Sequence, residues 1–377
     1  MEETKAPPQD TPASGSKKAV VVGGAGFLGR RLVALLGGGD GTDEPHADWP
    51  RFDAIHVVDR APFVEESASR RAREARGIAL TASTADVRSK DDLRAVLREA
   101  HTVFHLASVV DVGLKKNPTI EAINVVGTRN VVEVSEELGI PFLVYTSSED
   151  VVFSETPCAG DDESVPYPER PMNDYVRTKI EGDRVVLGAD GRRGLRTCAI
   201  RPVHIYGPED PHAIVASLEA FAGGKVPFLF GDGSARFDCV YVDNVAHAHL
   251  LAATRLHDEA TRDRVGGKAY FVGEGYAPNY FEFVRRFADA RGIAMPRLRL
   301  PDGAVYALAR AMELVHRLTG AEVPFHRFHY YILTKDFWFS NASIERELGY
   351  RPHVPHEEGM ARTVAWVRTI PLGGSRA

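Results

Sequence analysis

The residues best suited to chemistry lie in two segments roughly 150 positions apart. In Tyr175-Val-Arg-Thr-Lys179 a phenol and an ammonium stand four residues apart, and a helix makes such positions neighbours on one face. A free tyrosine gives up its proton only near about pH 10. An adjacent ammonium, together with the positive ring of a nicotinamide, stabilises the phenolate and lowers that value. Such a phenol can take the proton of a substrate hydroxyl as hydride leaves, or return it in the reverse direction. By itself Tyr-x-x-x-Lys is more often an exposed helix pair. Here Leu143-Val-Tyr-Thr-Ser-Ser148 precedes it, a buried strand ending in hydroxyls. Ser148 is placed to donate to the reacting oxygen, with Ser147 and Thr146 as competitors and an ordinary turn serine as the plain alternative.

The other segment is Val20-Val-Val-Gly-Gly-Ala-Gly-Phe-Leu-Gly29. Gly23, Gly26 and Gly29 directly follow a strand and lead into a helix. That setting predicts a dinucleotide site, with a tight turn, room for the pyrophosphate and close helix–strand contact. The helix N-terminus then offers free N–H groups and the positive end of its dipole. Asp59 closes the second strand, where a carboxylate can hold the adenosine ribose hydroxyls. It lies 30 residues beyond Gly29 rather than the usual ~20, and the polar stretch Gly37 to Pro50 accounts for the excess. An acid there repels a 2′-phosphate, so NAD is favoured over NADP; Arg60 softens that preference. Asp86-Val87 after the third strand is placed at the adenine amino edge, with a helix N-cap as the competing role.

These residues need a scaffold, and the hydrophobic pattern supplies one. Strands are expected at Ala19 to Val22, Ile55 to Asp59, Ala79 to Thr84, Thr102 to Leu106, Phe142 to Thr146 and Arg196 to Arg201. Helical patterns separate them, at Phe27 to Leu36, Lys90 to Glu99, Pro118 to Leu138 and Pro171 to Leu187. The alternation predicts an α/β fold, a Rossmann-type doubly wound parallel sheet. After Tyr206-Gly-Pro helices dominate, at His212 to Ala222, Val242 to Thr254, Tyr280 to Arg291 and Gly303 to Leu318, with short strands at Asp238 to Tyr241 and Ala269 to Val272. We expect a tail over 1–18, a dinucleotide-binding domain over 19–205, and a smaller, mostly helical substrate lobe over 206–377 with segments returning to the sheet.

The chain has 377 residues, 44% apolar and 26% charged, with a net charge of −6. No basic field points to nucleic acid. Three cysteines, Cys158, Cys198 and Cys239, include no C-x-x-C pair, which disfavours a disulfide framework or a thiolate zinc site. No metal is expected; the paired histidines (His247 and His249, His326 and His329, His353 and His356) lack a metal-binding spacing. Met1 to Lys18 reads as a polar tail, neither signal peptide nor anchor. No apolar run is long enough to span a bilayer. Ala304 to Leu318 is an amphipathic helix facing the core or a second copy, with a membrane surface as the minority alternative. The aromatic run Phe325 to Phe339 suits either an apolar, sterol-sized pocket or ordinary core. A cytoplasmic protein, peripheral at most to membranes, is expected.

Further motifs give the chain a family likeness. With the segments above, His105-Leu-Ala-Ser108 and Arg201-Pro-Val-His-Ile-Tyr-Gly-Pro208 resemble the extended short-chain dehydrogenase/reductase superfamily. His105-Leu-Ala-Ser-Val-Val-Asp-Val112, Asn124-Val-Val-Gly-Thr128 and Tyr145-Thr-Ser-Ser-Glu-Asp-Val151 are similar to the 3β-hydroxysteroid dehydrogenases. Asp162-Glu-Ser-Val-Pro-Tyr167, Val186-Leu-Gly-Ala-Asp190, Gly231-Asp-Gly233, Val240 to His249 and Leu348-Gly-Tyr-Arg-Pro352 look like the decarboxylating sterol-4α-carboxylate 3-dehydrogenases. The resemblance implies Ser148, Tyr175 and Lys179 as the catalytic set. It implies Gly23, Gly26, Phe27, Leu28, Asp59, Asp86, Val87, Ala107 and Ser108 as NAD contacts, Pro202 and Ile205 lining the nicotinamide, and Asn124 as a structural residue. It further implies a homodimer through the helices Pro118 to Leu138 and Pro171 to Leu187. The expected reaction is NAD-dependent oxidation of a sterol 3β-hydroxyl coupled to loss of a 4α-carboxylate. A 2-alkyl-3-keto acid reductase or a nucleotide-sugar epimerase would keep the same catalytic set, and a cofactor-sensing module without turnover is the remaining alternative.

Overall fold

The computed structural model describes residues 17–39, 49–211 and 213–372. All but the end of the expected tail, and the middle of the Gly37 to Pro50 stretch, lie outside the described residues. Seven strands run parallel in one sheet: β1 (Lys18–Val22), β2 (Ala54–Asp59), β3 (Ala79–Thr84), β4 (Thr102–His105), β5 (Phe142–Thr146), β6 (Arg196–Pro202) and β7 (Lys268–Val272). Their spatial order is β7-β6-β5-β4-β1-β2-β3. The order reverses between β1 and β4, so a crevice opens at their C-terminal ends, where ligands of such sheets bind.

Strand side chains alternate between the faces, and each face has its own core. Ala19 and Val21 point to the side packed by Leu28, Leu32 and Val245. Val20 and Val22 point to the side packed by Leu93, Val131 and Val186. Because both faces are covered, the inner strands read as continuous apolar runs.

The chain beyond residue 205 does two things. Strand β7 pairs with β6 at the sheet edge, Lys268 opposite Cys198 and Val272 opposite Pro202, and helix Val242–His257 packs against helix Phe27–Leu36 beneath the sheet. The remainder builds small strand pairs, His204–Tyr206 with Cys239–Tyr241 and Cys158–Asp161 with Phe337–Phe339. Several elements depart from the sequence pattern. Helix Ser67–Ala75 buries no residue fully, so no apolar stripe announces it. The helix expected from Pro171 starts at Asp174, because the Asn173 side chain accepts from Val176 N at 2.8 Å and caps it there. The helix expected to Glu99 stops at Val96, and Glu99 takes a positive φ. In the aromatic run, Phe328 and Phe337 pack on Phe153, and Phe339 stacks on Phe271 at 4.1 Å, so these rings are core.

Candidate active site

The glycine turn follows β1. Gly23 has φ +89, and a Cβ there would sit 2.5 Å from the Ala107 backbone nitrogen. A Cβ on Gly29 would meet the Gly23 carbonyl oxygen at 2.2 Å. Only hydrogen fits at either position, so turn, helix and the strand end carrying Ala107 approach as closely as backbones can. Gly26 is the N-cap of helix Phe27–Leu36 and offers no side-chain cap, which leaves the first N–H groups of that helix available to an anion. Asp59, at the end of β2, accepts from Ala25 N and from Ala61 N, each at 3.0 Å. Its carboxylate therefore ties the glycine turn to the second strand at the crevice rim. The cradle fits a dinucleotide: bare amides for the diphosphate, and an acid at the ribose position.

The other residues expected around a cofactor stand at the same sheet edge. Ala107 and Ser108 follow β4, and Leu106 N and Ala107 N both bond to Val22 O. Pro202 ends β6, and Ile205 lies in the strand paired to Cys239–Tyr241. Phe27 and Leu28 open the glycine-turn helix. Asp86 accepts from the Arg88 guanidinium through both carboxylate oxygens, which holds it below the usual carboxylate range. The N-cap of the following helix is Ser89, not Asp86. The Val87 carbonyl accepts from Asn130 at 3.0 Å. Arg60 follows Asp59 and adds a positive field at Asp86.

The chemical end is assembled by one helix and one strand. Helix Asp174–Leu187 brings in Tyr175 and Lys179, both buried. Asp183, on the same helix, pairs at 2.6 Å with Arg201 of β6, and Tyr167 donates to it at 2.7 Å. This buried ion pair fixes the helix on the sheet. The Lys179 ammonium donates to the Thr146 carbonyl at 2.8 Å and to the Tyr145 hydroxyl at 3.1 Å. Burial lowers it to about 8, with Asp183 and Asp150 pulling the other way.

Ser148 follows β5, donates to Asp150 Oδ2 at 3.1 Å and accepts from Asp150 N at 3.2 Å, and the neighbouring helix presents the buried Tyr175 phenol. Burial is the largest cause holding it above its ordinary value; Asp150 and Glu149 add to the rise, and Ser148 opposes it. Lys179 directs its ammonium to the end of β5.

Asn124 lies on a π-helical turn, Ala122–Gly127, between helices Pro118–Glu121 and Thr128–Glu137. Its side chain accepts from Val109 N at 2.8 Å and from the Ser108 hydroxyl at 3.2 Å, and donates to Val109 O and to Thr178. It joins the loop after β4 to the Tyr175 helix. Such single wide turns recur where a side chain must be re-aimed.

Sequence reasoning passed over two supports of this site. Asp150 and Glu149 follow Ser148 inside a quoted motif, and two acids beside a strand-end serine were the available signal. His249 receives the Thr146 hydroxyl at 2.7 Å and donates to Val245 O at 2.8 Å. Burial lowers it to about 4, which keeps it neutral and fixes this tautomer.

Comparison with known proteins places these features. Residues 20–302 match the model of the 3-beta hydroxysteroid dehydrogenase/isomerase family. The chain is similar to 3beta-hydroxysteroid-dehydrogenase/decarboxylase isoform 1 of Arabidopsis thaliana, 32% identical over 92% of this chain and 78% of that one. It is also similar to the human sterol-4-alpha-carboxylate 3-dehydrogenase, decarboxylating, at 31% identity over 94% of this chain and 89% of that one. Among solved structures, a dTDP-glucose 4,6-dehydratase from Streptomyces venezuelae with NAD bound superposes with a TM-score of 0.68 at 23% identity, covering 93% of this chain and 97% of that one. That likeness extends to the fold.

Proposed function

Because this chain belongs to the 3-beta hydroxysteroid dehydrogenase/isomerase family, we propose that it is an NAD-dependent dehydrogenase. Its substrate is a sterol 3β-alcohol bearing a 4α-carboxylate, which is lost as CO2 after oxidation. What supports this reading is that Lys179, on the helix of Tyr175, bonds Thr146 O at the end of β5 that leads to Ser148, on a sheet whose β1 leads into the Gly23–Gly29 turn. Gly23, Gly26, Phe27, Leu28 and Asp59 would hold the dinucleotide, with Asp86, Val87, Ala107 and Ser108 around its adenosine side and Pro202 and Ile205 beside the nicotinamide. When bound, that group accepts the hydride. The polypeptide does the rest: Tyr175 receives the hydroxyl proton, Ser148 donates to the carbonyl oxygen that forms, and Lys179 fixes the end of β5 that carries Ser148. Oxidation at C3 gives a β-keto acid, whose CO2 departs by passing electrons into the ketone. Ser148 and Tyr175 then steady the enolate oxygen.

A screen with NAD and three substrate classes tests this: 4-carboxy sterols, plain 3β-hydroxysteroids and 3-hydroxy fatty acids. Stoichiometric NADH and CO2 from the first class is the expected result. NADH only from 3-hydroxy acids would replace it with a keto-acid reductase, and sugar-nucleotide inversion without net NADH would replace it with an epimerase.

Asp59 supplies the cofactor preference. Asp59→Asn retains an amide oxygen for Ala25 N but removes the charge that repels a 2′-phosphate. The ratio of kcat/KM for NAD over NADP should fall at least about tenfold, equivalent to ~1.4 kcal/mol. An unchanged ratio would assign the discrimination elsewhere.

The mostly helical part beyond residue 205 would cap the substrate, and its helix Asp302–Thr319 would touch lipid. That helix turns Val305, Ala309 and Glu313 inward and leaves Leu314, Val315 and Leu318 at 55%, 45% and 77% exposure. Arg310 and Arg317 stand nearby, suited to anionic headgroups. Among the described residues no helix is long and apolar enough to cross a membrane. The double variant Leu314→Glu/Leu318→Glu should lose flotation with anionic liposomes while keeping its turnover; equal flotation would discard the contact. We also infer a cytoplasmic homodimer through the 128–137 and 174–187 helices, where a shallow depression mixes Val132 and Val185 with charges of both signs, among them Arg129, Glu133 and Arg184. A monomer mass in light scattering would exclude it.

A further inference from the structure

A buried phenol ionises more readily when a positive charge stands near it. On the Tyr175 helix that charge is Lys179, one turn further along. Its effect depends on where the ammonium is held, and two groups of β5 hold it: the Thr146 carbonyl at 2.8 Å and the Tyr145 hydroxyl at 3.1 Å. Gly182 leaves room for that hydroxyl, since a Cβ there would lie 2.7 Å from it.

Thr146 is the last residue of β5, and its ladder is one-sided. Pairing with β4 ends at Tyr145, opposite His105. On the other side Thr146 still pairs with Ile200 of β6, and Ser147 N bonds to Ile200 O at 2.7 Å. A strand end held along one edge opens more easily than the strand behind it. The second restraint comes from helix Val242–His257, which packs on β5. His249 of that helix is fully buried, and its Nε2 lies 2.7 Å from the Thr146 hydroxyl. Its Nδ1 lies 2.8 Å from Val245 O. A carbonyl only accepts, so Nδ1 carries the hydrogen and Nε2 is left to accept from the hydroxyl. The ring is thus tied to its own helix at one nitrogen and to the end of β5 at the other.

We propose that His249 is a positioning residue of the oxidation: through Thr146 it sets where the Lys179 ammonium stands, one helical turn from Tyr175. The inference rests on the dehydrogenase reading above. His249 exchanges no proton and meets neither substrate nor cofactor. It holds the Thr146 hydroxyl, the Thr146 carbonyl then keeps its direction, and the ammonium keeps its place. Without the bond the strand end tilts and the ammonium follows it. At an effective dielectric constant of about 20, retreat of a charge from about 4 to about 6 Å moves an ionisation by about one pH unit. The phenolate loses support, so the shift is upward.

The groups facing Lys179 and Tyr175 are Asp183 on their own helix, Asp150 and Glu149 beyond β5, Tyr145 in β5 and His105 at the end of β4. None of them is changed by substitution at His249 or Thr146, so a moved pH profile reads the place of Lys179.

The test uses the full chain and four proteins: wild type, His249→Phe, Thr146→Val and His249→Gln. The first measurement is the pH profile of kcat with NAD and a 4-carboxy sterol. The oxidative rate rises with pH as Tyr175 becomes able to accept a proton. His249→Phe and Thr146→Val should each move that rising limb up by about one pH unit, a loss of about tenfold on the limb, and reach nearly the wild-type plateau above it. The carboxamide of His249→Gln offers an oxygen to the Thr146 hydroxyl and should restore the limb. Thr146→Val keeps the side-chain shape, so it decides the matter if His249→Phe does not fold. The second measurement is a crystal structure of Thr146→Val, in which Lys179 Nζ should stand beyond hydrogen-bond reach of the residue-146 carbonyl. If wild type oxidises no substrate, the dehydrogenase reading fails and the crystal structure alone decides the positioning. A rate lowered equally at every pH, an unmoved limb, or Lys179 still bonded to that carbonyl overturns the proposal.

Discussion

Tyr175→Phe keeps the fold and the cofactor affinity and lowers turnover by about 10²–10⁴-fold, the range of a lost general acid–base group. The expectation follows from what the substitution removes. The ring of Tyr175 is 7% exposed, and phenylalanine fills the same space. The hydroxyl is the one atom lost, and it is the group proposed to receive the substrate proton. Its desolvation raises the phenol, so removing it leaves no uncompensated buried charge and should not cost stability. A stopped assay of NADH formation gives the rate, and quenching of intrinsic fluorescence by NADH gives the affinity. Turnover within a few-fold of wild type would mean that the proton travels by another route. Loss of affinity and rate together would mean that the ring, not the oxygen, was essential.

Gly29→Ala is expected to act at the other end of the crevice and on binding rather than on chemistry. The added methyl would stand 2.2 Å from the Gly23 carbonyl oxygen and 2.6 Å from Gly24 Cα. Both are backbone atoms and cannot swing aside. The turn must open, and the strain of inserting a methylene-sized group into a packed site is about 1–3 kcal/mol. Taken from binding, that is roughly a 5- to 150-fold loss of NAD affinity. Opening the turn also displaces Ala25 N from Asp59, so NAD and NADP should weaken together, unlike in Asp59→Asn. Calorimetric titration with both dinucleotides separates the two outcomes. Normal NAD binding by the Gly29→Ala variant would show that the diphosphate does not rest on this turn.

Much of this molecule was legible because its local and global requirements agree. The inner strands that lead into the crevice are continuous apolar runs, since burial on both faces leaves no room for polar alternation. The glycine turn was readable because close backbone contact excludes every side chain. What the pattern missed had no apolar period to display. Helix Ser67–Ala75 carries no fully buried residue. The π-helical turn at Ala122–Gly127 lies within a helix whose periodicity looks ordinary, because the widening depends on how Asn124 bonds to the loop after β4. The lysine of Tyr-x-x-x-Lys was correctly placed on the helix, but its partners, Thr146 O and Tyr145, come from a strand more than thirty residues earlier.

The sequence by itself determined the seven strands of the sheet, the glycine turn after β1, the acid at the end of β2 and a helix carrying a tyrosine and a lysine four residues apart. Those are properties of short segments, set by periodicity, by glycine's missing side chain and by a four-residue helical spacing. Only the tertiary structure decided the electrostatics. Burial raises the Tyr175 phenol, Lys179 bonds Thr146 O and Tyr145, and Ser148 and Asp150 bond each other. Proton affinity in a protein depends on desolvation and on every charge within a few ångströms, and those neighbours are gathered from distant parts of the chain.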